Sequence, residues 1–127
     1  MTDTELIAGY LAHARTTTRD GTDADNFEAW EELNALVMDA PERAWPLLCE
    51  IIRRISSEDD DILAYVAAGP LEDLLARHPQ AFIERIENLA QNDAHFRRAV
   101  SGVWGWTRIP ADIRERLDRL LRDEPRL

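Results

Sequence analysis

Carboxylates are the side chains of this protein that could do chemistry. They form three groups along the chain: Glu28, Glu31 and Glu32; residues 58–61; and Glu72 with Asp73. Two carboxylates that face each other across a cleft can serve as general acid and general base. Successive residues of a helix point about 100° apart, so Glu72 and Asp73 are poorly placed for that task. We expect no catalytic residue among these groups.

Metal-binding and nucleophilic motifs are missing from the sequence. Residues 58–61 lack the alternation, the glycine and the distal glutamate of a calcium loop. His13, His78 and His95 lie too far apart for the spacing of a zinc site. Cys49 stands in an apolar run without a histidine nearby, which is typical of a buried structural thiol. The sequence therefore predicts a protein that is not an enzyme and that needs no cofactor and no metal.

The charge of the chain is unevenly distributed. The net charge is −10, with 17 acidic residues and 6 arginines in residues 1–80 but 8 and 9 in residues 81–127. Such a surface attracts basic proteins and repels nucleic acids and anionic membranes. We therefore expect a basic protein partner, no nucleic acid and no membrane. The candidate partner-binding residues are Glu28, Glu31, Glu32, Asp59, Asp60, Asp61 and Glu72.

The location of the protein is predicted from what the sequence lacks. Residues 1–5 are acidic rather than basic, and no apolar stretch of a signal peptide follows them. No apolar run approaches the ~20 residues that span a bilayer. The single Cys49 suits a reducing compartment. We expect a cytoplasmic protein.

Apolar residues that recur every three or four positions predict an all-α fold. The first helix has such a stripe up to Ala14, and residues 15–25, rich in Thr, Asp and Gly, are predicted to be a loop. Pro41, Pro79 and Pro110 can each open the second helix of a pair. The prediction is a single helical domain, residues 1–127, in which about seven helices form three antiparallel hairpins.

The arrangement of these hairpins has two interpretations. The three prolines are 38 and 31 residues apart, a spacing that loosely resembles HEAT-like repeats of ~40–47 residues. A short HEAT-like array with the first helix as a cap would follow from that spacing. An irregular closed bundle is the alternative.

Residues 62–77 are the stretch around which this fold is predicted to assemble. Their apolar helical pattern is interrupted at Gly69 and Pro70, and both residues disfavour a helix interior. Glu72 then falls in the first turn of a new helix, where a carboxylate is favourable. The break is either a kink between two short helices or a device that aims Glu72 at a partner or at a buried arginine.

The same stretch carries a resemblance. The sequence AAGPLEDLLARHP, together with Trp30, residues 41–45 and Val103-Trp104, resembles an uncharacterised bacterial family of small acidic all-helical proteins, a domain of unknown function with a GPLEDLL-type motif. The resemblance spans roughly residues 27–104. It implies a helical fold and no established activity.

These features lead to two functional hypotheses. The first is a non-catalytic bacterial protein–protein interaction module, most specifically an immunity-type protein or other acidic inhibitor that masks a basic partner. The alternative is a structural subunit or scaffold of a homo-oligomer, with Trp104, Trp106 and Ile109 at the contact. The sequence leaves the oligomeric state open.

Overall fold

The computed structural model describes residues 1–21 and 25–127, and every regular element in these ranges is a helix, which confirms the all-α prediction. The predicted start of the second helix, near residues 23–25, lies partly outside the described residues; α2 begins at Phe27. The helices are α1 (Asp3–Asp20), α2 (Phe27–Asp39), α3 (Pro41–Arg54), α4 (Asp60–Val66), α5 (Glu72–Arg77), α6 (Pro79–Asn92), α7 (Ala94–Val100) and α8 (Ala111–Leu120). Because α4 and α5 are the halves of one broken helix, the described chain forms seven helical rods, the number expected.

Helix α1 is longer than predicted, and the predicted loop over residues 15–25 is wrong for residues 15–20. The helix begins with a capping box, in which Thr2 and Glu5 each accept the other's backbone N–H at 3.1 Å. Threonine costs a helix only a fraction of a kcal/mol relative to alanine, so three successive threonines do not end it. The stop is Gly21 in the left-handed region at φ 93°, whose N–H donates to the carbonyl of Thr17.

The break at Gly69 and Pro70 is a wide helical turn over Ala67–Leu71, between α4 and α5. Gly69 has φ −94° and ψ −105°, outside the helical region, and the N–H of Glu72 reaches back five residues to the carbonyl of Ala67. A turn of this kind holds one residue more than an α-helical turn. The predicted kink between two short helices is therefore confirmed, and α5 starts at Glu72.

The packing of the helices favours the closed bundle over the array. Helix α1 contacts α2, α3 and α4, while α6 contacts α7 and α8. Helix α3 contacts α7 directly, although the whole of α4, α5 and α6 lies between them in sequence. An open array restricts each hairpin to its sequence neighbours. The hairpins are therefore folded back onto one another.

The core is one continuous cluster of buried apolar side chains drawn from all eight helices. Tyr10 of α1 and Phe82 of α6 are the largest of the side chains that are almost fully buried. The ring of Trp45 on α3 lies 5.6 Å from that of Phe82 and 6.0 Å from that of Phe96, which joins α3 to α6 and α7. Within the described ranges, no helix is both long enough and apolar enough to cross a membrane.

Substitution of Gly9 tests the closest approach of α1 and α2. A side chain at Gly9 would place its Cβ 2.9 Å from the Cβ of Ala29. We expect Gly9→Leu to lower the free energy of unfolding by about 1–3 kcal/mol, because the larger side chain pushes the two helices apart. Ala8→Leu, on the exposed face of the same helix, should change it by no more than about 0.5 kcal/mol. Urea denaturation followed by circular dichroism measures both, and equal stabilities would contradict the tight packing.

Candidate protein-interaction surfaces

Most arginines of the protein are paired with its own carboxylates. Arg85 of α6 holds Glu42 of α3 at 2.8 Å, Arg97 of α7 holds Glu124 at 3.2 Å, and Arg116 of α8 pairs with Glu87 of α6. Pairs of this kind neutralise charge locally, even where they add little stability. The negative potential of the surface is therefore set by the carboxylates that no arginine reaches.

The outer face of α2 carries such carboxylates. Glu28, Glu31 and Glu32 are exposed there, while Ala29, Leu33 and Val37 line the buried face. Helix α2 contains no basic residue. In the part of the chain that the structure describes, none of the three glutamates takes part in an ion pair.

Asp39 extends this face by two further turns and was missed by the sequence analysis. It lies seven residues after Glu32, is exposed, and forms no ion pair with a described residue. A spacing of seven returns to the same side of a helix, so the helical period could have identified it. We call Glu28, Glu31, Glu32 and Asp39 the α2 stripe.

The second predicted group is less negative than its sequence suggests. Arg19 binds Asp59 at 3.0 Å and Asp61 at 3.8 Å, and Arg98 of α7 binds Asp60 at 3.1 Å. Two guanidinium groups therefore bind three of the predicted partner-binding carboxylates. Arg19 reaches them because α1 continues through residues 15–20, for which the sequence pattern predicts a loop.

Glu72, the last predicted partner-binding residue, is turned into the protein. Its side chain is buried, accepts the N–H of Gly105 at 3.1 Å, and is bound by Arg108 at 2.8 Å. The second nitrogen of Arg108 binds Asp73 at 2.5 Å. The pKa of Arg108 is raised, and its hydrogen bond with Asp73 is the largest cause. The kink between two short helices is thus the interpretation that the structure confirms; the arginine that Glu72 meets beyond it, Arg108, is exposed rather than buried.

The loop between α7 and α8 exposes two tryptophans. The rings of Trp104 and Trp106 stack with centroids 5.9 Å apart and are 45% and 70% exposed. Trp106 has a φ of 43°, a left-handed conformation that costs a non-glycine residue about 1–2 kcal/mol. Arg126 lies over the ring of Trp104 at 4.5 Å. We call Trp104 and Trp106 the tryptophan pair. The prediction that Ile109 also lies at the homo-oligomer contact is wrong, because its side chain is buried.

The histidines and the cysteine are used inside the fold. Each histidine bonds through Nε2 to a distant residue: His13 to the hydroxyl of Tyr65, His78 to the carbonyl of Val37, and His95 to the carbonyl of Ile52. Burial raises the pKa of the Cys49 thiol to about 12, so the thiol is protonated near neutral pH and is a weak nucleophile. Among residues 1–21 and 25–127, no group of His, Cys, Asp and Glu side chains could hold a metal ion.

Comparison with known proteins yields one finding. A family model described as a family of unknown function (DUF6869) matches residues 17–124, most of the chain. No curated protein and no solved structure matches the sequence.

Removing the charge of Glu72 tests its structural role. Glu72→Gln keeps an oxygen that can accept the N–H of Gly105 but deprives Arg108 of its buried carboxylate. We expect the free energy of unfolding to fall by about 1–3 kcal/mol, as measured by urea denaturation. Glu115→Gln removes an exposed carboxylate that forms no ion pair with a described residue, and it should have almost no effect. A Glu72→Gln protein that unfolds at the same urea concentration as wild type would contradict this role.

Proposed function

The chain belongs to the DUF6869 family, a family of unknown function. From the surface of this chain, we propose that it is a non-catalytic protein–protein interaction module. It binds a basic protein through the α2 stripe. The observation that carries this proposal is the pairing pattern. Four exposed carboxylates on one helix have no arginine partner among the described residues, while Arg19, Arg98 and Arg108 neutralise the other predicted groups.

The α2 stripe is suited to an oppositely charged surface. Like charges three or four residues apart on a helix repel each other by a few tenths of a kcal/mol, and a partner's cations would remove that repulsion. Charges concentrated on one face also raise the rate at which a basic partner associates. Asp59, Asp60 and Asp61 contribute less because arginines already bind them, and Glu72 is buried and bound by Arg108.

The more specific form of the proposal is an immunity-type protein or acidic inhibitor in the bacterial cytoplasm. A basic surface that fits the α2 stripe is also the kind of surface that binds nucleic acid phosphates, so occupying it would mask that activity. The lone half-buried Cys49 fits a reducing compartment. A basic protein encoded by a neighbouring gene would be the first partner to test.

Variants that remove the same number of charges from different faces can show whether the position of the charges matters. Glu28→Gln, Glu31→Gln and Glu32→Gln together remove three charges from the α2 stripe. We expect this variant to bind a fluorescently labelled lysine–serine repeat peptide about tenfold more weakly at about 0.15 M salt, since exposed ion pairs contribute up to about 1 kcal/mol each. Fluorescence anisotropy measures the affinity, and the difference should shrink at high salt as the charges are screened.

The matched control removes the same net charge from another face. The variant carries Glu84→Gln, Glu115→Gln and Asp123→Asn, at exposed positions on α6, on α8 and after α8. Its affinity for the peptide should remain within about twofold of wild type, because charges farther away than the ~8 Å Debye length are screened. Equal losses in the two variants would mean that only net charge matters, which would contradict a defined interaction face.

A second candidate function is a subunit of a homo-oligomer that assembles through the tryptophan pair. The supporting observation is the exposure of two large rings in a fixed stack, since tryptophans are frequent among the residues that dominate interface energies. The strained φ of Trp106 also suggests a functional demand on this loop.

The oligomer hypothesis predicts a change of mass. If copies of the chain associate through the tryptophan pair, wild type should elute as a dimer or larger species in size-exclusion chromatography with light scattering. Trp106→Glu should then elute as a monomer, because a charge would be buried in the contact. Its circular dichroism spectrum should match wild type, since the ring of Trp106 lies outside the core. A wild-type protein that is monomeric at high concentration would exclude this function.

A further inference from the structure

A small cavity lies where α1, α2 and the broken helix meet. It has a volume of about 80 Å³ and is lined by Tyr10, Trp30, Asn34, Gly69, Pro70 and Asp73. Trp30 and Asn34 are one turn apart on α2. Asn34 lies three residues after Glu31, and side chains three apart on a helix are neighbours, so the cavity lies beside one edge of the α2 stripe.

The hydroxyl of Tyr10 has no hydrogen-bond partner among the described residues, although only 1% of the residue is exposed. An unpaired buried hydroxyl costs about 1–3 kcal/mol. A Cβ placed on Gly69 would lie 3.9 Å from this oxygen. Gly69 and Tyr10 both line the cavity, and the hydroxyl is the part of Tyr10 that lies beside Gly69.

The other polar walls of the cavity suit a cation. Asp73 is partly buried, and its Oδ1 binds Arg108, which leaves Oδ2 as an acceptor. Asn34 can contribute its amide oxygen, and Trp30, whose ring stacks on Phe27 on one side, also lines the cavity. Burial, with added contributions from Tyr65 and from the negative charge of Asp73, raises the pKa of Tyr10, so its hydroxyl stays neutral. The single guanidinium of Arg108 binds both Glu72 and Asp73, so this group keeps one net negative charge, which disfavours an anion.

We propose that this cavity receives the ammonium group of a lysine side chain, presented by the basic partner whose binding to the α2 stripe is proposed above. An ammonium has three N–H donors, and the cavity offers three oxygens, those of Tyr10, Asp73 and Asn34. The methylene groups of the lysine would lie along Trp30. The compact ammonium suits a cavity of about 80 Å³ better than the wider guanidinium plane does. The α2 stripe then attracts the partner, and the cavity fixes its register.

The probe for this site is n-butylammonium chloride, which reproduces the end of a lysine side chain. Titration should shift the ¹⁵N–¹H signals of the Trp30 indole and the Gly69 amide in a saturable manner. n-Butanol, which has the same chain length but no charge, should bind at least about tenfold more weakly, since a hydrogen bond to a charged group contributes about 1.5–3 kcal/mol. Equal binding of the two probes would show an apolar cavity without specificity for ammonium and would overturn the proposal.

Two hydroxyl deletions sharpen the test. Tyr10→Phe should weaken butylammonium binding about tenfold while leaving the urea midpoint unchanged or higher, because it removes an unpaired buried group. Tyr65→Phe is the matched control. Its hydroxyl bonds Nε2 of His13 at 2.8 Å, so this variant should lower the urea midpoint and leave butylammonium binding unchanged. Wild-type butylammonium affinity in the Tyr10→Phe protein would overturn the proposal.

The two proposals can fail separately. The triple glutamine variant of the α2 stripe should keep its butylammonium affinity within about threefold, because an exposed charge adds little at a neighbouring site. If the lysine–serine peptide binds through the α2 stripe but butylammonium does not bind, the cavity proposal is wrong and the interaction face stands. If butylammonium binds and the peptide does not, the interaction face is wrong and the cavity remains an ammonium site.

Discussion

The buried carboxylate of Glu72 joins two parts of the chain that the sequence keeps far apart. It accepts the N–H of Gly105 and the guanidinium of Arg108, and so attaches the loop after α7 to the start of α5. The wide turn at Gly69 sets this geometry, because one residue more or less in that turn would rotate Glu72 by about 100° around the helix. The left-handed residues of the loop, Gly105 and Trp106, are held by this attachment. The helix break therefore helps to position the loop that carries the tryptophan pair.

The arginines distribute charge more than they stabilise the fold. Several link different helices, as Arg98 links α7 to Asp60, the first residue of α4, and Arg116 links α8 to α6. Exposed pairs of this kind contribute between zero and about 1 kcal/mol each. Their larger effect is to neutralise carboxylates on the other helices, whereas α2 has no basic residue of its own. The α2 stripe is thus defined as much by the positions of the arginines as by its own glutamates.

Local sequence patterns predicted the helices well because each helix buries one apolar face. Pro41 and Pro79 begin helices as expected, and Pro110 stands directly before α8. Residues 15–20 were wrongly assigned to a loop because threonine is only a weak signal against a helix and Gly21 is the actual stop.

The sites were harder to predict than the helices, because ion pairs and cavities depend on residues distant in sequence. Arg19 meets Asp59 across 40 positions, and no local spacing reveals that contact. Tyr10 fits an apolar stripe in the sequence, and only the packed structure shows that its hydroxyl has no partner among the described residues.

The side-chain cations of these ion pairs have one further chemical property in common. All 15 basic residues are arginines, and the sequence contains no lysine. Guanidinium groups stay protonated and do not act as amines toward activated carboxyl groups. Carbodiimide coupling, which joins a carboxylate to an amine, therefore cannot connect the side chains of two copies of this chain. If an exposed glutamate is joined in this way to a side-chain amine, that amine must come from a different protein.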